Sequence, residues 1–83
     1  MIFAKKEVIE LSGGEKYIVV DSLNEDNIWY YYICEVNKDE TKLEDNFKII
    51  TTVSENGNLF IKTIKGDKYT TIEKIFKEKL QID

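Results

Sequence analysis

The 83-residue sequence contains no histidine, no arginine and no proline, four glycines and a single cysteine, Cys34. Without imidazole there is no general base that titrates near neutral pH and no histidine metal ligand, and without guanidinium there is no bidentate clamp for carboxylate or phosphate. A lone cysteine cannot close an internal disulfide, so stability has to come from packing, as in a reducing compartment; the expected location is cytoplasmic. No apolar run approaches the roughly 18 residues of a membrane span. The opening Met1-Ile2-Phe3-Ala4-Lys5-Lys6 has too short an apolar stretch for a signal peptide, so no membrane partner is expected. Phosphate loops, dinucleotide fingerprints, nucleophile elbows and zinc-ligand spacings are absent as well.

What is present is a globular composition, 42% hydrophobic and 34% charged, in a chain sized for one domain, residues 1–83, with one small core. The net charge is −4 and unevenly spread. Residues 1–45 hold eleven acids and five lysines, −6, whereas residues 46–83 hold five acids and seven lysines, +2. An acidic front half opposes phosphate backbones, so nucleic acid is disfavoured as a partner.

Five strands are expected in the β-rich region 7–65. Glu7–Leu11 stops at Ser12-Gly13-Gly14, where glycine allows a tight reversal. Glu15–Ser22 carries Tyr17, Ile18, Val19 and Val20, residue types that suit a pleated surface. Polar Leu23–Asn27 interrupts the pattern, and Ile28–Val36 restores it with Trp29-Tyr30-Tyr31-Tyr32-Ile33. Asn37–Asn46 reads as a solvated loop. Phe47–Ser54 then alternates, with Phe47, Ile49, Thr51 and Val53 on one side, and joins Leu59–Lys65 through Asn56-Gly57. That dipeptide favours a type I′ hairpin turn, which sets Val53 opposite Phe60 and Ile49 opposite Ile64.

Thr70-Thr71-Ile72-Glu73 has the form of a capping box and predicts a helix over about Thr71–Gln81. Its apolar face comprises Ile72, Ile75, Phe76 and Leu80. A helix this short is marginal alone. Burial stabilises by about 1.5–3 kcal/mol per side chain, so docking on the sheet must hold it.

Pairing the second and third strands with Ser22 opposite Ile28 gives a ribbon that is apolar on both sides. One side carries Ile18, Val20, Tyr30, Tyr32, Cys34 and Val36; the other carries Tyr17, Val19, Trp29, Tyr31 and Ile33. A curled sheet buries one side, and something must cover the second. One reading lays the C-terminal helix over Tyr17, Trp29 and Tyr31. The other makes these three a protein-binding surface, rimmed by Glu15, Asp21, Glu25, Asp26 and Glu35.

Candidate chemistry is thin. Asp39, Glu40, Glu44 and Asp45 lack the spacing of an EF-hand loop and read as solvated charge, so neither a metal nor another cofactor is expected. Cys34 lacks an activating histidine and reads as a buried thiol, and no catalytic residue is assigned. Lys48, Lys62, Lys65 and Lys68 near Phe60 form the single cationic cluster, which suits single-stranded nucleic acid or simply guards a sheet edge.

Gly14-Glu15-Lys16-Tyr17-Ile18-Val19-Val20-Asp21, followed by Tyr30-Tyr31-Tyr32, resembles small acidic β-rich proteins of low-GC Gram-positive bacteria and their mobile elements. The resemblance covers the middle half of the chain and implies an SH3-like or otherwise strongly curved sheet with a terminal helix. It brings no catalytic residues.

The expectation is therefore an α+β domain, a strongly curved antiparallel sheet or small SH3-like barrel of about five strands with one C-terminal helix. The expected role is a non-catalytic protein-binding or small regulatory protein, one form of which is an inhibitor encoded by a mobile element. The alternatives are a nucleic-acid-binding module using the lysine-rich 48–68 hairpin and a structural homodimer.

Overall fold

The computed structural model describes residues 2–80, with only the backbone of Leu80. Five antiparallel strands, β1 (Val8–Glu10), β2 (Lys16–Glu25), β3 (Ile28–Val36), β4 (Leu43–Glu55) and β5 (Asn58–Thr63), precede one helix, α1 (Gly66–Leu80). They form a simple meander in the order β1-β2-β3-β4-β5. The sheet curls into a half-barrel, so that Leu11, just past β1, and Ile61 and Thr63 of β5 line a common cleft. The edge strands β1 and β5 do not pair, and the barrel stays open. Among the described residues no helix is long and apolar enough to cross a membrane.

Turn chemistry sets the registers. Asn56 and Gly57 both have positive φ, 52° and 81°, and β4 and β5 pair with Val53 opposite Phe60. The amide of Ile64 donates to Ile49 O at 2.9 Å, extending the same register. Both agree with the type I′ turn expected from Asn-Gly.

The β2–β3 connection corrects the expected pairing of Ser22 with Ile28. Asp26 (φ 53°) and Asn27 (φ 65°) form a two-residue turn of their own, since short polar side chains tolerate the left-handed region. Leu23, Asn24 and Glu25 therefore join the ladder, Glu25 pairs with Ile28, and Ser22 lies opposite Tyr31. A bulge between Val19 and Asp21 takes up one extra residue on β2. The loop expected over residues 37–46 is also shorter. The Asn37 side-chain oxygen accepts from the amides of Thr41 (2.8 Å) and Lys42 (3.1 Å), closing the reversal so that β4 begins at Leu43.

The sheet separates two apolar clusters. Ile9, Tyr17, Val19, Tyr31, Ile33 and Ile50 pack on one side, with Phe3, Leu11 and Trp29 against them. On the other side Tyr30, Tyr32 and Ile49 pack beneath Ile72 and Phe76 of α1. The Tyr32 ring lies between Phe47 and Phe76, with centroids at 5.2 and 5.4 Å and near-parallel planes.

The helix departs from expectation in two ways. It begins at Gly66 rather than Thr71, so Thr70 lies inside it and directs its hydroxyl back to Gly66 O at 3.5 Å. Glu73 accepts from the Tyr69 hydroxyl (3.2 Å) and pairs with Lys77 (3.7 Å), leaving no capping box. The expected end at Gln81 and the side chain of Leu80 lie outside the described residues. The helix also covers Tyr30 and Tyr32, the face opposite Tyr17, Trp29 and Tyr31.

Candidate functional site

Tyr17, Trp29 and Tyr31 share one face, as the alternation required, but that face is closed by the chain's own N-terminal arm. Phe3 sets its ring edge-on to Tyr31 at 5.0 Å, and the Ile2 amide donates to the Tyr31 hydroxyl at 2.9 Å. Tyr17 is 1% exposed and Tyr31 0%. Asn46 Nδ2 donates to the Tyr17 hydroxyl (3.2 Å) and to Glu35 Oε1 (2.9 Å), which satisfies the polar end of the ring. Sealed rings cannot touch a partner, so of the three only half-buried Trp29 keeps any accessible surface. The described residues 2–7 ahead of β1 fold back over the sheet.

The expected acidic rim is dispersed too. Asp21, at the β2 bulge, is 1% exposed. Its Oδ1 accepts from the Ser22 amide at 2.8 Å and lies 3.3 Å from Lys79 Nζ and 3.4 Å from Lys5 Nζ. Burial alone raises its pKa, but the Ser22 amide and the two ammonium groups outweigh it and hold the carboxyl below the usual aspartate value. Lys79 also donates to Ser22 O at 2.6 Å, pinning the last turn of α1 to β2. Asp21 is thus a structural clamp.

The remaining polar candidates are similarly engaged or apart. Glu40 pairs with Lys16 at 3.1 Å, and among the described residues no three His, Cys, Asp or Glu side chains converge on a metal position. Cys34 is buried and its thiol donates to Glu44 O at 3.1 Å. Burial pushes its pKa up, with Asp45, Glu35 and Glu44 adding to the rise, and the thiol stays protonated. Three of the four lysines split between faces. Lys48 lies over the Tyr17 ring at 5.6 Å, on the arm side, and Lys68 over the Tyr30 ring at 5.5 Å, on the helix side. Lys62, paired with Thr51, shares the face of Tyr30, so Lys48 cannot act with it on one strand of nucleic acid.

The accessible apolar surface lies elsewhere. Leu59, Phe60 and Ile61 on β5 are 50%, 51% and 40% exposed, and they are consecutive. Ladder pairs alternate between bonded and unbonded. The Ile64–Ile49 bond marks its pair as bonded, so Phe60 and Lys62 also turn their amides toward β4. Leu59, Ile61 and Thr63 then direct N–H and C=O outward from the sheet edge. Phe60 projects on the helix side beside Val53, and Leu59 and Ile61 project on the arm side, where Thr52 lies between Ile61 and the Trp29 strand. An unpaired backbone edge flanked by apolar side chains on both faces is a template for another strand.

The sequence marks this hairpin through its lysines, as a nucleic-acid surface or a guarded sheet edge, and does not single out the three adjacent apolar residues after Asn56-Gly57. Sequence periodicity does not say that β5 ends the sheet or that α1 stops short of its tip. Compared with protein families, with curated proteins and with solved structures, the chain matches none.

Proposed function

We propose that this chain is a non-catalytic protein-binding module that engages its partner through the β5 edge. The observation that carries the reading is the continuous exposure of Leu59, Phe60 and Ile61 on a strand whose outer backbone groups have, among the described residues, no strand beside them. Edge strands are ordinarily blunted by charge, proline or a bulge. β5 has one lysine, Lys62, and neither of the other devices. The buried, protonated Cys34 and the dispersed carboxylates favour binding over bond-making, and Cys34 suits a reducing compartment.

The test is site-specific photocross-linking in the native host with p-benzoylphenylalanine at position 60 and, as a control, at Leu43, which is exposed at 59% but away from β5. A discrete protein adduct from position 60 and none from position 43 supports edge docking. No adduct from position 60, or the same adducts from both, overturns it.

A further inference from the structure

We infer that the partner seated on β5 is a second copy of this chain, paired antiparallel about a two-fold axis at Phe60; the inference rests on the edge-docking reading above. Leu59, Ile61 and Thr63 present outward backbone groups; a two-fold at Ile61 would bond all three but set Phe60 opposite Lys62, whereas a two-fold at Phe60 leaves Thr63 opposite the Gly57 turn and keeps apolar residues together. Centring on Phe60 sets Leu59 opposite the partner's Ile61 and Ile61 opposite the partner's Leu59, each with reciprocal N–H to O=C bonds. Phe60 then meets the partner's Phe60 at an unbonded pair, where side chains approach most closely and aromatic pairs stabilise best.

The charges fit the same register. Lys62 falls opposite the partner's Asn58, and beyond it in the same row and on the same face is the partner's Glu55, since Glu55 pairs with Asn58. Two strand spacings separate those backbones by about 10 Å, a gap that lysine and glutamate side chains can span together. The two-fold repeats the ion pair at the other end, so the lysine that would repel an arbitrary strand becomes complementary to this one. All three exposed apolar residues of β5 meet apolar residues.

The assembly closes at two. Pairing consumes both β5 edges and leaves only β1, three residues long with Glu10 on it and Glu7 just before it. A strand of three residues offers few backbone groups for further addition.

The experiment uses the purified full chain. Sedimentation velocity across micromolar to millimolar concentration is expected to show a reversible monomer–dimer equilibrium. Lys62→Glu should weaken dimerisation by about tenfold, and Glu55→Lys combined with Lys62→Glu should restore it. Under mild oxidation Phe60→Cys should form a covalent dimer, because an unbonded antiparallel pair brings its Cα atoms to about 4.5 Å. Asn58→Cys, opposite the partner's Lys62, should stay reduced, and far-ultraviolet circular dichroism should confirm that every variant folds. A chain that is monomeric throughout, a double variant that fails to recover, or equal oxidation at positions 58 and 60 overturns the dimer. A monomeric chain that still gives a photoadduct with a different protein from position 60 removes the dimer and keeps edge docking; a monomeric chain with no adduct removes both.

Discussion

Lys79 Nζ lies 3.3 Å from Asp21 Oδ1, joining the last turn of α1 to the bulge in the middle of β2. The pair spans most of the chain and, with Lys5 at 3.4 Å, draws both the N-terminal arm and the helix onto one carboxylate. The lysines are themselves largely exposed, so the contact acts less as a buried ion pair than as a tether whose acidic end is dry.

That tether gives stability a definite pH dependence. The Asp21 pKa is depressed in the folded state relative to about 3.9 in the unfolded chain. The folded state therefore gains from this group above pH about 4, and the gain is lost as pH falls through the depressed native value. Urea unfolding at pH 7, 5 and 3 should show the loss between the last two. Asp21→Asn should cost about 1–3 kcal/mol at pH 7 and flatten the acid limb. An unchanged acid limb in the variant would show that other carboxylates govern it.

The two apolar clusters predict different responses to truncation. Phe76→Ala removes a fully buried ring from between α1 and Tyr32. It should cost about 3–5 kcal/mol and release the helix, read as a drop in ellipticity at 222 nm. Tyr31→Phe deletes only the hydroxyl that accepts from the Ile2 amide. It should cost about 0.5–1.5 kcal/mol and expose the arm to limited proteolysis while the helix signal stays intact. Loss of the helix signal in both variants would mean that the two sides of the sheet fold as one unit.

Cys34 should be nearly silent as a nucleophile. Its thiol is buried, donates to Glu44 O and has a raised pKa. A thiol-specific chromogenic reagent at pH 8 should label it at least about a hundredfold more slowly in the native protein than in denaturant, because reaction waits on opening of the sheet. Rapid native labelling would place the β3–β4 junction among the readily opening parts of the fold.

Much of the sheet was legible because side-chain direction repeats every two residues. β3 runs from Ile28 to Val36 as its apolar run required, and Asn56-Gly57 set the last hairpin to the residue. The expected offset between β2 and β3 was two residues in error over Lys16–Val19, yet an even slip keeps every side chain on its own face. Tyr17 and Tyr31 therefore still emerged together, opposite Tyr30 and Tyr32.

What escaped was the choice of cover. Both sides of the ribbon are aromatic, so periodicity could not decide which received α1. The decision rests on Phe76 stacking against Tyr32 and on Lys79 reaching Asp21, contacts between residues far apart in the chain. The arm was illegible for a related reason. Phe3 stands alone in Met1–Lys6, and a single aromatic carries no period. The helix start was hidden by Gly66, which reads as a strand end and, at φ 70°, also opens α1.

The extra residue at Val19–Asp21 has a consequence for how this chain can vary in length. Before it, odd-numbered positions of β2 look toward the arm; after it, even-numbered ones do, so Asp21 and Leu23 face α1 together with Val20. The irregularity works as a phase shifter. Removing Val20 would restore plain alternation and leave Asp21 and Leu23 on the α1 side, whereas removing two residues there would send Leu23 to the wrong side and carry the anchoring carboxylate away from Lys79.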